Sequence, residues 1–303
     1  NYILDLNKGL INYIKGKKFD FAFVFSDRFE TFIFAYICFL NQIPIIHYEG
    51  GDITDGGTFD DKIRYSISQI SDYHLVTNKF SLNNLKKIGI NKKNIIDIGL
   101  LSLHEDLRLN EKKFIQFRKN FDLTKKDKFI LFTYHSIPKL KFKNIKNIDE
   151  CILALKEMSK NGWKIIITYP NFDPFYDVII KKLKKINDHK NIILIKNLGT
   201  AHYHCLLEFA GKNKNGLCVG NSSSGIKEAN YFLCPTINIG LRQKGRLRSS
   251  SVFDVVENKK KIIRLIKKVR IIQLKNQIKF EKNLYFKKDP FIKIQKLLNA
   301  KKI

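Results

Sequence analysis

Apolar and polar positions alternate along this chain between helical and strand periods. Ile3 to Lys15 has helical spacing, and Phe19 to Phe25 (FDFAFVF) is a near-continuous apolar strand ending in Ser26, Asp27 and Arg28. Phe29 to Leu40 is of helical length and Pro44 to His47 is the next strand. This β-α-β order implies parallel strands joined by a right-handed crossover, with ligands bound beyond the carboxyl ends of the strands. A glycine-rich acidic loop, GGDITDGGTFDD, precedes a helix from Lys62 to Ser71; strand His74 to Thr77, helix Ser81 to Ile88 and strand Ile95 to Ile98 follow.

Between Gly99 and Asp127 the pattern changes: Leu107 to Asp127 is charged and helical without a clear strand, which places a domain hinge there. Alternation then resumes with strand Phe129 to Thr133, a loop holding His135 and Pro138, helix Ile148 to Asn161, strand Trp163 to Thr168, helix Phe175 to Asn187, strand Asn191 to Ile195 and helix Ala201 to Ala210. Leu217 to Val219 is a buried strand, a turn of Asn221 to Ser224 follows, and a helix begins at Gly225. Pro235 to Ile239 is the last strand expected. The Lys-rich tail, Lys259 to Lys275 and Pro290 to Lys301, is amphipathic helix. The pattern predicts an α/β fold of two Rossmann-like domains, over 1–112 and 113–284, with 285–303 packing back on the first. A ligand held between two such domains is the ordinary arrangement.

The 303 residues, 44% hydrophobic, suffice for two full cores. The net charge of +28 suggests a nucleic-acid or anionic-membrane partner, but only nine of the 56 basic residues are arginine. The rest are lysines scattered among Asn, Ile and Phe, without the arginine that bidentate base reading favours, so no nucleic-acid partner is expected. The five cysteines show no CxxC spacing and are read as buried reduced thiols of a cytoplasmic protein. There is no 18-residue apolar run and no signal-peptide pattern at Asn1.

Candidate chemistry sits at the strand ends. The Ser222–Ser224 turn suits a phosphate at a helix N-terminus, or is an ordinary serine N-cap; Glu228 beyond it is placed to accept from ribose hydroxyls. Asp27 and Glu49 end two neighbouring strands and Asp60 or Asp61 opens the next helix, so three carboxylates could ring one ligand. Each also has a plain reading, as a helix N-cap for Asp27 and Asp60 or a turn residue for Glu49. His202 and His204 suggest a metal pair, but no third ligand lies at useful spacing and they are read as surface or core histidines.

The series SDRFE, HYEGGD, FDDKIRY, YHSIP, TYPNFDP, GNSSSGIKEA and NIGLRQKGR, in this order across essentially the whole chain, closely resembles the hydrolysing UDP-N-acetylglucosamine 2-epimerases of the sialic and legionaminic acid pathways. The resemblance implies a glycosyltransferase-B-like fold. It also implies cleavage of UDP from UDP-N-acetylglucosamine, or a 2,4-diacetamido-trideoxy relative, with inversion at C2 through a glycal to release a free sugar for nonulosonic acid synthesis. No cofactor or metal is implied, and a homodimer is. By the same resemblance Asp27, Glu49 and Asp60 form the acid/base set and His135 assists the departure of UDP. Arg28, Asn171, Ser222, Ser223, Glu228 and Arg242 contact nucleotide or phosphate, and the Leu198 backbone meets the uracil.

Three local departures stand out: Tyr65 in place of a histidine, Leu241 in place of a more polar residue, and an insertion at Lys212 to Asn215. Family members also begin with a strand and a GTRAEY-like loop that have no counterpart here. The expectation is therefore an N-terminally truncated chain, lacking the first strands of its first domain and having little activity. The alternatives are a non-catalytic nucleotide-sugar-binding remnant and a glycosyltransferase of the same fold.

Overall fold

A computed structural model describes residues 2–25, 27–54, 60–104, 109–140, 143–186 and 189–301. The chain divides into two compact units, residues 1–54, 59–101 and 285–303 in one and 55–58 and 102–284 in the other. The sequence pattern places the division at 112/113, inside the helix Glu111–Lys119, all of which belongs to the second unit.

In the first unit α1 (Tyr2–Ile14), β1 (Ala22–Phe25), α2 (Phe29–Leu40), β2 (Ile45–Tyr48), α3 (Asp60–Gln69), β3 (Tyr73–Val76), α4 (Lys79–Lys87) and β4 (Ile95–Asp97) follow in turn. The four strands are parallel in the order β1-β2-β3-β4. Ala22 and Val24 alternate with Phe23 and Phe25 on β1, so one face packs with Ala35, Ile37 and Cys38 of α2 while the two phenylalanines are exposed. On the opposite side Ile46, Tyr48, Leu75 and Ile98 form a second cluster with Leu297 of the C-terminal helix, which belongs to this unit. Phe59, opening the FDDKIRY segment, lies outside the described residues, as do Ser26, Asp55 and the first residues of the charged stretch expected from Leu107.

The second unit runs α5 (Glu111–Lys119), β5 (Phe129–Thr133), α6 (Lys143–Lys160), β6 (Lys164–Thr168), α7 (Tyr176–Lys184), β7 (Ile192–Ile195), α8 (Gly199–Lys212), β8 (Gly216–Gly220), α9 (Ser223–Lys227), β9 (Thr236–Ile239), β10 (Val252–Val255) and α10 (Lys259–Leu274), followed by α11 (Pro290–Lys301) of the first unit. Its six parallel strands have the order β10-β9-β8-β5-β6-β7. β5 at the centre is buried throughout, as its unbroken apolar run FILFT requires. The reversal of order at β5, with β8 on one side and β6 on the other, is where such sheets open a crevice for ligands.

The structure corrects the sequence pattern at β10, because Pro235 to Ile239 is not the last strand. β10 is a four-residue edge strand carrying Asp254, and with one paired side and little burial it lacks the apolar run that marked the others. All five cysteines are buried and none forms a disulfide. No described helix is long and apolar enough to cross a membrane.

Candidate functional site

The first unit gathers its acidic residues at the carboxyl end of its sheet. β1 and β2 are in register, Phe25 opposite Tyr48, so Asp27 and Glu49 leave adjacent strands at the same end. Glu49 has φ 67, a left-handed conformation that costs a non-glycine residue about 1 kcal/mol or more, and its N–H is tied to the Leu75 carbonyl at 3.0 Å. The two glycines after it are needed by the backbone: a Cβ on Gly51 would lie 2.2 Å from the Ser81 carbonyl oxygen, and one on Gly50 would lie 2.9 Å from His47 Nδ1.

Asp60 is the first residue of α3 and is partly buried. The next residue, Asp61, is occupied within the protein. It accepts from Thr54 N at 2.8 Å and Thr54 Oγ1 at 2.6 Å, which fastens the loop, and from Arg64 Nη1 at 2.6 Å. The guanidinium of Arg64 also donates to the Asp52 carbonyl at 2.8 Å and, through Nη2, to the Asp27 carboxylate. Burial works to lower the Arg64 pKa, but Asp27, Asp52 and Asp61 outweigh it and hold the group cationic. His47, beneath this cluster, bonds Ser68 Oγ through Nδ1 at 3.0 Å and is pushed down to about 3 by burial, then by His74 and Arg64, so it is neutral. Arg28 forms a two-point pair with Glu30, at 3.1 and 2.9 Å, and is half-exposed.

In the second unit the groups converge on the ends of β5, β6, β8 and β9. His135 is clamped by Asn221, which accepts its backbone N–H at 2.6 Å and donates to its carbonyl at 2.8 Å. The His135 ring Nδ1 accepts the Asn171 backbone N–H at 3.0 Å, so the ring proton resides on Nε2. Burial, then the nearby Arg242 charge, holds its pKa well below 6.5; the ring is a neutral donor through Nε2. Arg242 is 8% exposed and reaches the Asn221 carbonyl and Asp173 Oδ2, both at 3.4 Å, while Gln243 Nε2 donates to the same Asn221 carbonyl at 2.7 Å. The Asn171 side chain is exposed, and it is the residue's backbone N–H that meets His135.

The serine turn lies next to this group. Ser222 is the N-cap of α9, its Oγ accepting from Ser224 N at 3.4 Å and Ser224 Oγ at 3.0 Å, and Ser223 is the first helical residue. The helix therefore starts two residues before Gly225, where the sequence pattern put it. Because α9 is five residues long, any anion here would rely on the unpaired N–H groups of one turn rather than on a long helix dipole. Glu228 accepts from His204 Nε2 at 2.7 Å and Ser102 Oγ at 3.3 Å, and Tyr203 hydrogen-bonds Ser224 Oγ at 2.8 Å. Leu198 caps α8, its carbonyl 3.1 Å from His202 Nδ1. Among the described residues no group of three or more His, Cys, Asp and Glu could hold a metal.

Asn221, Arg64 and Gln243 go unassigned by sequence reasoning, which names Asp61 only as an alternative to Asp60 and reads His204 as a surface or core histidine. Asn221 and Arg64 lie inside segments that carry the resemblance, but a buried polar residue's partner cannot be read from its own neighbourhood. His204 and His202 were separable only by burial: His204 lies beneath the surface against Glu228, and His202 stacks on Phe117 with ring centroids 4.2 Å apart.

The structure defines a protein of two parallel α/β units, one carrying carboxylates at its strand ends and the other a neutral histidine, an arginine and a serine turn at its own. The family model of the UDP-N-acetylglucosamine 2-epimerases matches residues 4–299, and the chain belongs to that family. It is 34% identical over 240 residues to the GDP/UDP-N,N'-diacetylbacillosamine 2-epimerase (hydrolyzing) of Campylobacter jejuni, covering 78% of this chain and 60% of that protein. It is 28% identical over 292 residues to the polysialic acid biosynthesis protein P7 of Escherichia coli, covering 96% of this chain and 71% of that protein. Among solved structures, the UDP-GlcNAc 2-epimerase of Neisseria meningitidis bound to UDP-GlcNAc superposes with a TM-score of 0.76 at 21% identity, over 98% of this chain and 81% of that one. That likeness shows the fold, two Rossmann-like α/β units of the glycosyltransferase-B-like class.

Proposed function

We propose that this chain serves a hydrolysing 2-epimerase acting on UDP-N-acetylglucosamine or a UDP-2,4-diacetamido-trideoxyhexose, giving UDP and the C2-inverted free sugar. Support comes from the family match and from relatives named as hydrolysing diacetylbacillosamine 2-epimerases. The observation that carries the reading is that Asp27 and Glu49 follow adjacent strands at the same end of the first sheet, with Asp60 opening the helix after β2.

The sugar C2–H is not acidic in the ground state. As the C1–O bond to the diphosphate breaks and its electron pair moves to the β-phosphate oxygen, positive charge at C1 acidifies C2–H; a carboxylate takes that proton and the C1=C2 bond of a glycal forms. Water then adds its oxygen at C1, giving up one proton to a carboxylate or to solvent, while a protonated carboxyl on the opposite ring face delivers a proton to C2, which inverts that centre. Two acid/base groups on different faces are the minimum, and a cluster of acidic residues is the kind of group that can supply them. At the other end, His135 Nε2–H and Arg242 would donate to the departing diphosphate, His135 as a hydrogen-bond donor rather than a cation. Ser222, Ser223 and Asn171 would complete the phosphate contacts, Glu228 would meet the ribose and the Leu198 backbone the uracil; Arg28 would have to exchange Glu30 for phosphate.

The test is incubation with each UDP-sugar in deuterated water. Free UDP with deuterium at C2 of the released sugar is expected. UDP without deuterium, or transfer to an added acceptor sugar, would replace this reading with simple hydrolysis or glycosyl transfer.

A further inference from the structure

Asp27 interacts with Arg64 on α3 and with His47 on β2; Arg64 is also faced by Asp61 on its own helix and by Asp52 after β2, and Tyr65 on α3 by Asp61, Arg64 and Asp52. His47 is neutral at ordinary pH, and Asp27, Asp52 and Asp61 all act on the Arg64 cation. That cation is sealed, its side chain 3% exposed, whereas the Asp27 side chain remains 29% exposed. One guanidinium nitrogen bonds Asp27 and another bonds Asp61 at 2.6 Å and the Asp52 carbonyl at 2.8 Å. Arg64 is thereby fixed to α3 and to the loop after β2 before it touches Asp27, which lies on a third segment 37 residues away.

We infer that Arg64 is a positioning residue for the proposed reaction: it holds Asp27 ionised and oriented, and so makes Asp27 the group that accepts the C2 proton, leaving delivery from the opposite face to another acidic residue. This rests on the epimerase reading above. The physical reason is sign and geometry. A carboxylate held by a buried cation is ionised in the resting state, which disqualifies it as the initial acid and leaves it, at some loss of basicity, in the form that can accept a proton. Three carboxylates without Arg64 would repel one another, and at least one would take up a proton near neutral pH. In the proton balance, C2–H leaves to Asp27 as the C1–O pair departs with the diphosphate. The resulting Asp27 carboxylic acid leaves Arg64 with Asp61 and the Asp52 carbonyl, so the cation is never stranded.

The experiment uses the full chain and four forms: wild type, R64M, R64K and D61N. Asp27 is titrated by carboxyl ¹³C NMR, its resonance assigned with D27N, and the pH profile of kcat/KM for UDP release is recorded alongside. In R64M the Asp27 midpoint is expected to rise by roughly one to three pH units, and the acid limb of kcat/KM with it. R64K, with charge but without the two-point fork, should fall between, while D61N, which removes a competing carboxylate, should move the midpoint down or leave it in place. A purely structural arginine would lower the amplitude of kcat/KM without moving its limb. An Asp27 midpoint unchanged in folded R64M, or a raised one in D61N, overturns the inference. If R64M does not fold, R64K and D61N still decide: the R64K midpoint must rise and the D61N midpoint must not. A wild-type chain that releases no UDP defeats the epimerase reading and the proton-acceptor role with it, while the carboxyl titration still decides whether Arg64 holds Asp27 ionised.

Discussion

Asn221→Ala isolates the joint on which the second-unit site is built. Asn221 is fully buried, and its side chain satisfies both backbone groups of His135, the N–H at 2.6 Å and the carbonyl at 2.8 Å. Alanine leaves that donor and that acceptor unpaired in the interior, each costing about 1–3 kcal/mol unless water enters the space left by the amide. With water entry offsetting part of the about 2–6 kcal/mol that the two groups could cost, a loss of roughly 2–4 kcal/mol is expected. The single tryptophan, Trp163, is buried in the core of the second unit, so its fluorescence in a urea titration follows this unit alone. With a slope of about 2 kcal/mol/M, the midpoint should fall by about 1–2 M. Asn161→Ala is the control, since Asn161 is exposed and its side chain bonds the Glu157 carbonyl of its own helix end; it should cost less than about 0.5 kcal/mol. A midpoint shift for Asn221→Ala no larger than the control's would refute the clamp.

Two further outcomes are expected. His47 and His74 are pushed from 6.5 to about 3 and about 4, first by burial, so below pH 6.5 the unfolded chain binds protons that the folded chain refuses; first-unit stability should be full above pH 6.5 and fall as pH drops toward 4. Denaturant titrations from pH 7 to 4.5, read by backbone amide NMR signals of β2 and β3, check this, and a flat profile would contradict it. His204→Ala removes the 2.7 Å partner of Glu228, and if that carboxylate meets ribose, UDP affinity by calorimetry should drop about tenfold, or about 1.4 kcal/mol, with little change for inorganic pyrophosphate. Equal losses for both ligands would place the effect on the phosphates instead.

The sequence alone carried the two-unit α/β architecture, because buried parallel strands write themselves as short apolar runs and their crossover helices as the longer period: FILFT became β5 to the residue and Phe29 to Leu40 became α2 to the residue. It also placed the candidate residues, since parallel strands put their carboxyl ends together and Asp27, Glu49, His135 and Ser222 all follow strands. At β10 the pattern was silent, because this edge strand is little buried and its four residues, VFDV, include the exposed Asp254 instead of an unbroken apolar run. Tertiary structure alone decided the partners. Arg64 finds Asp27 across 37 residues, Asn221 finds His135 across 86, and His204 finds Glu228 across 24. Hydrophobic periodicity is a local property of the chain, whereas the pairing of a buried charge or amide depends on which distant segments the closed sheets bring within about 3 Å, and that distance is not encoded at either residue.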